Sequence, residues 1–139
     1  KNKNKKIMNL IKFPKVTSDL VVVDTAIILD ASKLVECTST GATCVATFAA
    51  GSANSILTFT FDGADAAAKL KSATAMQTAV TNACAQLAGP AGNSKGVFDF
   101  FPETGATALI AKTAFEARIG LVVDATATVG TGLITIALT

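Results

Sequence analysis

The chain offers few side chains with reactive chemistry. Cys37, Cys44 and Cys84 are its only thiols, and histidine, tryptophan and tyrosine are absent. A cysteine nucleophile usually works with a histidine base, and structural zinc usually takes four ligands. Three cysteines without histidine meet neither need. An odd count also argues against a fully paired disulfide framework. Cys37 and Cys44 flank Thr38-Ser39-Thr40-Gly41-Ala42-Thr43, which reads as a hairpin connection. Across a four-residue loop they would face each other, and a cross-strand disulfide fits if the Cβ spacing allows it. The other reading is two buried thiols acting as small apolar side chains, and it is preferred.

The remaining chemistry is set aside residue by residue. Gly89-Pro90-Ala91-Gly92-Asn93-Ser94-Lys95-Gly96 holds glycine and lysine but lacks the Gly-Lys-Ser/Thr order. It also follows a helical stretch and precedes an apolar run, the reverse of a phosphate cradle. Asp62 and Asp65 are close, yet a helix start accounts for them. Asp99 and Glu103 flank Pro102 at a turn, and Asp19, Asp24 and Asp30 do not match a Ca²⁺ loop. Ser–Lys catalysis stands only as a formal option. No catalytic, cofactor-binding or metal-binding residue is therefore assigned, and no enzyme and no small-molecule substrate are expected.

Composition carries more. Apolar residues make up 50% of the chain and charged residues 16%, against about 25% charged in typical domains. The polar cover is Thr, Ser, Ala and Gly, which is less costly to dehydrate than charge. Net charge is +2, but Lys1, Lys3, Lys5, Lys6, Lys12 and Lys15 all precede the first acid. The remaining six cations face ten acids, so the body is mildly acidic and the basic signal is a tail. Such a tail is either a solvated terminus, with Met8 as a natural start, or an arm for nucleic acid, an anionic membrane or an acidic neighbouring subunit. For the body, nucleic-acid binding is not expected, because its Phe residues sit at core-like alternating positions. No stretch is long and apolar enough to predict a membrane span. Lys12, Pro14 and Lys15 interrupt the run a signal peptide would need.

The elements that must position these residues follow from periodicity. Leu10–Val16 reads as a short strand ended by Pro14, at a sheet edge. Leu20–Val23 and Ala26–Leu29 are β-branched or apolar runs with a bend at Asp24-Thr25. Lys33–Cys37 and Thr43–Ala49 flank the hairpin. Ile56–Phe61 alternates, with Leu57, Phe59 and Phe61 on one side and Thr58 and Thr60 on the other. Residues 64–88 are rich in Ala, with Asp62-Gly63-Ala64-Asp65 as the N-cap and Gly89-Pro90 as the stop. Leu70, Ala73, Met76, Val80, Cys84 and Leu87 make its apolar stripe. Further strands are predicted at Val97–Phe101, within Leu109–Val123 with Gly120 at a bulge, at Thr126–Val129 and at Leu133–Leu138. The predicted fold is α+β: an antiparallel, sandwich-like β domain with one amphipathic helix on one face. Residues 1–15 form a basic arm leading into the first strand, and residues 16–139 form one domain.

Phe59-Thr60-Phe61-Asp62 leading into an Ala-rich helix between Thr/Val strands resembles small β-rich virion proteins of tailed bacteriophages. These are capsid decoration, tail or fibre-associated proteins, and the resemblance runs over Met8–Thr139 without a diagnostic motif. It implies a non-enzymatic structural subunit that binds itself and neighbouring subunits in a viral particle. The alternative expectation is a secreted or cell-surface fibre or adhesin-like module. A strand at Leu133–Leu138 would be tied into a sheet or donated to a neighbour. Leu133, Thr135, Ala137 and Thr139, with Lys1, Lys3, Lys5 and Lys6, are the candidate interface residues.

Overall fold

The computed structural model describes residues 9–18, 21–22, 27–61, 66–88, 97–101, 112–120 and 133–139. In chain order these form β1 (Leu10–Phe13), β2 (Val16–Ser18), β3 (Val21–Val22), β4 (Ile27–Asp30), a 3-10 turn (Ala31–Lys33), β5 (Leu34–Thr40), β6 (Thr43–Phe48), β7 (Ser55–Phe61), α1 (Ala66–Ala88), β8 (Val97–Asp99), α2 (Lys112–Ile119) and β9 (Leu133–Leu138). They build a six-stranded sheet in the order β3-β2-β9-β7-β6-β5 and a three-stranded sheet in the order β4-β1-β8. The α+β, sandwich-like reading is what the structure shows. One pair, β1 with β8, is parallel, so the smaller sheet is mixed.

Alternation decides which face of the larger sheet is buried. Cys44, Ala46 and Phe48 of β6, Leu57, Phe59 and Phe61 of β7, and Ile136 of β9 all point inward and are buried. Two structures share this inner face. The helix α1 lies against β5, β6 and β7. The smaller sheet reaches it through Phe13, whose ring meets Phe59 edge-on at 5.7 Å. From Phe13 the aromatic contacts continue to Phe100 at 5.0 Å, Phe101 at 4.7 Å and Phe115 at 5.2 Å. A chain lacking Trp and Tyr thus ties sheet, sheet and second helix together with one run of Phe rings.

Several expectations are corrected. Leu10–Val16 is not one edge strand. The chain leaves the smaller sheet after Phe13 and enters the larger one at Val16, with buried Pro14 at the crossing. Proline cannot donate to a ladder, and here it is needed in none. Because β1 is the middle strand of its sheet and buries Ile11 and Phe13 completely, the fold begins ahead of residue 16. Within Leu109–Val123, Lys112–Ile119 is a helix. Phe115 and Ile119, four residues apart, are both buried, and that spacing suits a helix face better than a strand. Gly120 is its cap, not a bulge: φ is +75° and its N–H donates to the Glu116 carbonyl at 2.8 Å. On α1 the stripe holds Ala73, Met76, Val80, Cys84 and Leu87, but Leu70 is exposed. Ser72 is buried instead, its hydroxyl satisfied by the Ala68 carbonyl at 3.1 Å. The predicted N-cap at 62–65, the Gly89-Pro90 stop, the bend at Asp24-Thr25 and the strand at Thr126–Val129 lie outside the described residues.

Candidate functional site: the outward face of the larger sheet

The face of the six-stranded sheet turned away from α1 and the smaller sheet can be read from the strand register. One row across β5, β6, β7 and β9 is Thr40, Thr43, Thr60 and Thr135. The next is Thr38, Val45, Thr58 and Ala137. The third begins Glu36, Thr47 and Ile56, and Thr139 completes it by exchanging backbone hydrogen bonds with Ile56 at 2.9 and 3.1 Å. Threonine fills the first row and half of each of the other two, and Glu36 is the one charge among them. Thr38, Thr40, Glu36, Ile56 and Thr139 are exposed, and the others are half-buried by their neighbours in the sheet.

Each residue is there for a local reason. Threonine is β-branched and fits a pleated surface. In β7 the alternation of Leu57, Phe59 and Phe61 with Thr58 and Thr60 fixes the register, because a one-residue slip would bury hydroxyls and expose Phe. The β5–β6 connection is a two-residue turn, Gly41-Ala42, with Gly41 at φ +56°. Glycine takes that left-handed conformation without the steric cost other residues meet. Since the strands run right up to this turn, Thr38, Thr40 and Thr43 belong to the ladder and not to a loop.

Of the interface candidates, Thr135, Ala137 and Thr139 fall on this outward face together. Leu133 is on β9 at the register of Phe61, beside an irregularity in the ladder. Lys1, Lys3, Lys5 and Lys6 lie outside the described residues. Donation of β9 to a neighbour is not how this strand is used: β7 and β2 pair with its two sides. Nor is the free side of β5 an open template. An antiparallel ladder turns alternate carbonyls outward, and the Cys37 carbonyl accepts from the Gln77 side chain of α1 at 2.8 Å. The Ser39 hydroxyl donates to the other end of the same amide at 2.9 Å. The opposite edge strand, β3, is Val21–Val22 among the described residues. Covered or short edges resist strand addition.

The cysteines occupy the inner face. The tight turn sets Cys37 opposite Ala46 and Cys44 opposite Ser39, so the two thiols are diagonal neighbours and not directly opposed. Their sulfurs are 3.8 Å apart as free thiols. The Cys37 thiol lies below its ordinary range, chiefly through the hydrogen bond from Cys44, against the opposing effect of burial, with Thr81 assisting. That same hydrogen bond, then burial, then the charge of a Cys37 thiolate, push Cys44 strongly up. Burial, then Cys37, push Cys84 up to about 12.

A second concavity is an open groove between α1 and α2, lined by Lys71, Thr74, Ala75, Thr78, Ala79 and Asn82 and by Ala117 through Gly120. It has no carboxylate in its lining. Its Arg118 is already engaged, donating through Nε to the Phe100 carbonyl at 2.8 Å and lying 4.7 Å over the Phe98 ring. Among the described residues, no group of three or more His, Cys, Asp or Glu is placed to hold a metal ion. No described helix is long and apolar enough to cross a membrane. Compared with protein-family models, curated proteins and solved structures, the chain finds no match in any of the three.

Proposed function

We propose that this chain is a non-enzymatic structural subunit that assembles with copies of itself through the outward face of its larger sheet, in a repeated assembly such as a viral capsid or tail. The observation that carries this reading is the composition of that face: rows of Thr with Val45, Ile56 and Ala137, and a single acid at the margin. A second copy is the occupant that suits it. Threonine hydroxyls both donate and accept, so the surface is complementary to itself, and no charge is buried against a like charge when two copies meet. Four strands ~4.8 Å apart and residues ~7 Å apart along each strand make a patch about 15 Å on a side. That is roughly 200 Å², about a quarter of the ~800 Å² each partner gives to a standard interface, so neighbouring surface supplies the rest. The mechanism is burial of this weakly polar face, without donation of β9 or pairing at the β5 edge, because β9 is paired on both sides and Gln77 covers part of that edge.

Sedimentation and electron microscopy at micromolar concentration test the proposal. The expected result is a concentration-dependent oligomer or particle. Thr58→Arg, in the middle row, should abolish it while leaving the circular dichroism spectrum unchanged and lowering stability by no more than about 1 kcal/mol, the span of strand preferences at a half-buried sheet position. A wild-type chain that stays monomeric throughout, or an assembly indifferent to Thr58→Arg, defeats the reading.

A further inference from the structure

All three cysteines of the chain converge beneath α1. Cys37 is half-buried on the edge strand β5, Cys44 is buried on the adjacent β6, and Cys84 is buried on α1. The Cys37 sulfur is 3.8 Å from that of Cys44 and 3.9 Å from the Gln77 carbonyl. A disulfide needs the sulfurs to close to ~2 Å with the Cβ atoms ~4 Å apart. From diagonal positions this asks for movement of one strand. Among the described residues β5 pairs with β6 alone, and it already carries a register irregularity between Leu34 and Glu36, so it is the strand that can give.

We propose that Cys37 and Cys44 form an oxidisable pair, in which Cys37 is the thiol oxidised first and Cys44 resolves it, with a hydroperoxide as the oxidant. The Cys37 thiolate attacks one peroxide oxygen. An S–O bond forms, the O–O bond breaks, and the departing oxygen leaves with its electron pair and takes up a proton. Cys37 is then a sulfenic acid. The Cys44 sulfur attacks it, the S–S bond forms, the S–O bond breaks, and hydroxide leaves with the Cys44 proton as water. Two thiols and one hydroperoxide yield one disulfide, one alcohol or water, and one further water. The division of labour follows from the surroundings. Cys37 receives hydrogen bonds from Cys44 and Thr81, which favour its thiolate, and it is the most accessible of the three. Cys84 faces it from the helix but is held as a thiol by burial and by the Cys37 charge. A bond at 37–44 would pin the edge strand of the sheet to its neighbour.

The experiment uses the full chain with hydrogen peroxide, followed by unfolding, alkylation and peptide mapping. The expected product is the tryptic peptide Leu34–Lys69, which holds both cysteines, about 2 Da lighter than its unalkylated dithiol form, with Cys84 left alkylatable. In the folded chain at neutral pH, iodoacetamide should label Cys37 at least about tenfold faster than Cys84. Cys44→Ser should leave a sulfenic acid on Cys37 that dimedone captures, and Cys37→Ser should leave Cys44 unreacted. A Cys37–Cys84 bond, an intermolecular bond between two Cys37 residues, equal oxidation of all three, or no reaction before unfolding would each overturn the proposal. None of these readouts depends on assembly, so this inference and the structural role fail separately.

Discussion

At the scale of single residues, the Phe run and the thiols set the clearest expectations. Phe13 is fully buried and touches both Phe59 and Phe100, so it joins the two sheets. Phe13→Ala should cost about 3–5 kcal/mol in urea unfolding, at the upper end for a truncated aromatic, because neither sheet can collapse into the gap alone. The thiols predict a pH dependence. Cys84 has its folded pKa raised from an ordinary 9.0 to about 12. A group raised on folding contributes stability that is whole below the unfolded value and is lost as pH climbs from there toward the folded one. Cys44 has the same sign, and Cys37, which is lowered, works against them. Stability should therefore fall between about pH 9 and pH 12, and Cys84→Ala should make that slope shallower in pH-dependent thermal scans. An unchanged slope would show that Cys84 does not stay protonated in the fold. The close approach of Cys37 and Cys44 was legible in the sequence only in part. Their spacing announces a hairpin, but Thr38–Thr43 has no large apolar residue and reads as loop, so the true turn and the diagonal register are hidden.

Elements reveal why some structure is written locally and some is not. β7 and α1 were readable because each buries one face of a regular period: two in Ile56–Phe61, three to four in Ala73, Met76, Val80, Cys84 and Leu87. Leu70 misled because apolar character alone does not say which side of a helix meets the sheet. α2 was invisible for a related reason. Eight residues are too few for a helix to form from propensity, and β-branched residues flank it. Its stability comes from Phe115 docking against Phe101 and from Ile119, contacts made between distant parts of the chain. Gly120 then ends it at a positive φ with open space around the missing Cβ. Gly120→Ala should accordingly cost only about 1 kcal/mol, from backbone strain and not from a clash. Calorimetry or urea unfolding measures it, and a loss several times larger would mean that the backbone at this cap cannot relax. For the outward face, Thr58 and Thr60 could be placed by alternation and Thr135, Ala137 and Thr139 were singled out. The Thr residues of β5 are not legible in the same way, since Thr38–Thr43 reads as the hairpin's loop and only the two-residue turn puts Thr38 and Thr40 into the ladder.

For the whole molecule, the order of strands has its own consequence. β2 and β7 lie about forty residues apart in sequence, and within the larger sheet they meet only through β9, contributed at 133–138. Until β9 arrives, β3 and β2 are severed from the rest of that sheet, and β7 presents a bare row of amide and carbonyl groups ending in Phe61. During synthesis β2, β3, β5, β6 and β7 all leave the ribosome before β9 does. The nascent protein therefore passes through a period with a sticky, unpaired ladder in view. Whatever guards that ladder in the cell, whether a chaperone or simply speed, matters as much to the yield of folded protein as the strength of the completed fold.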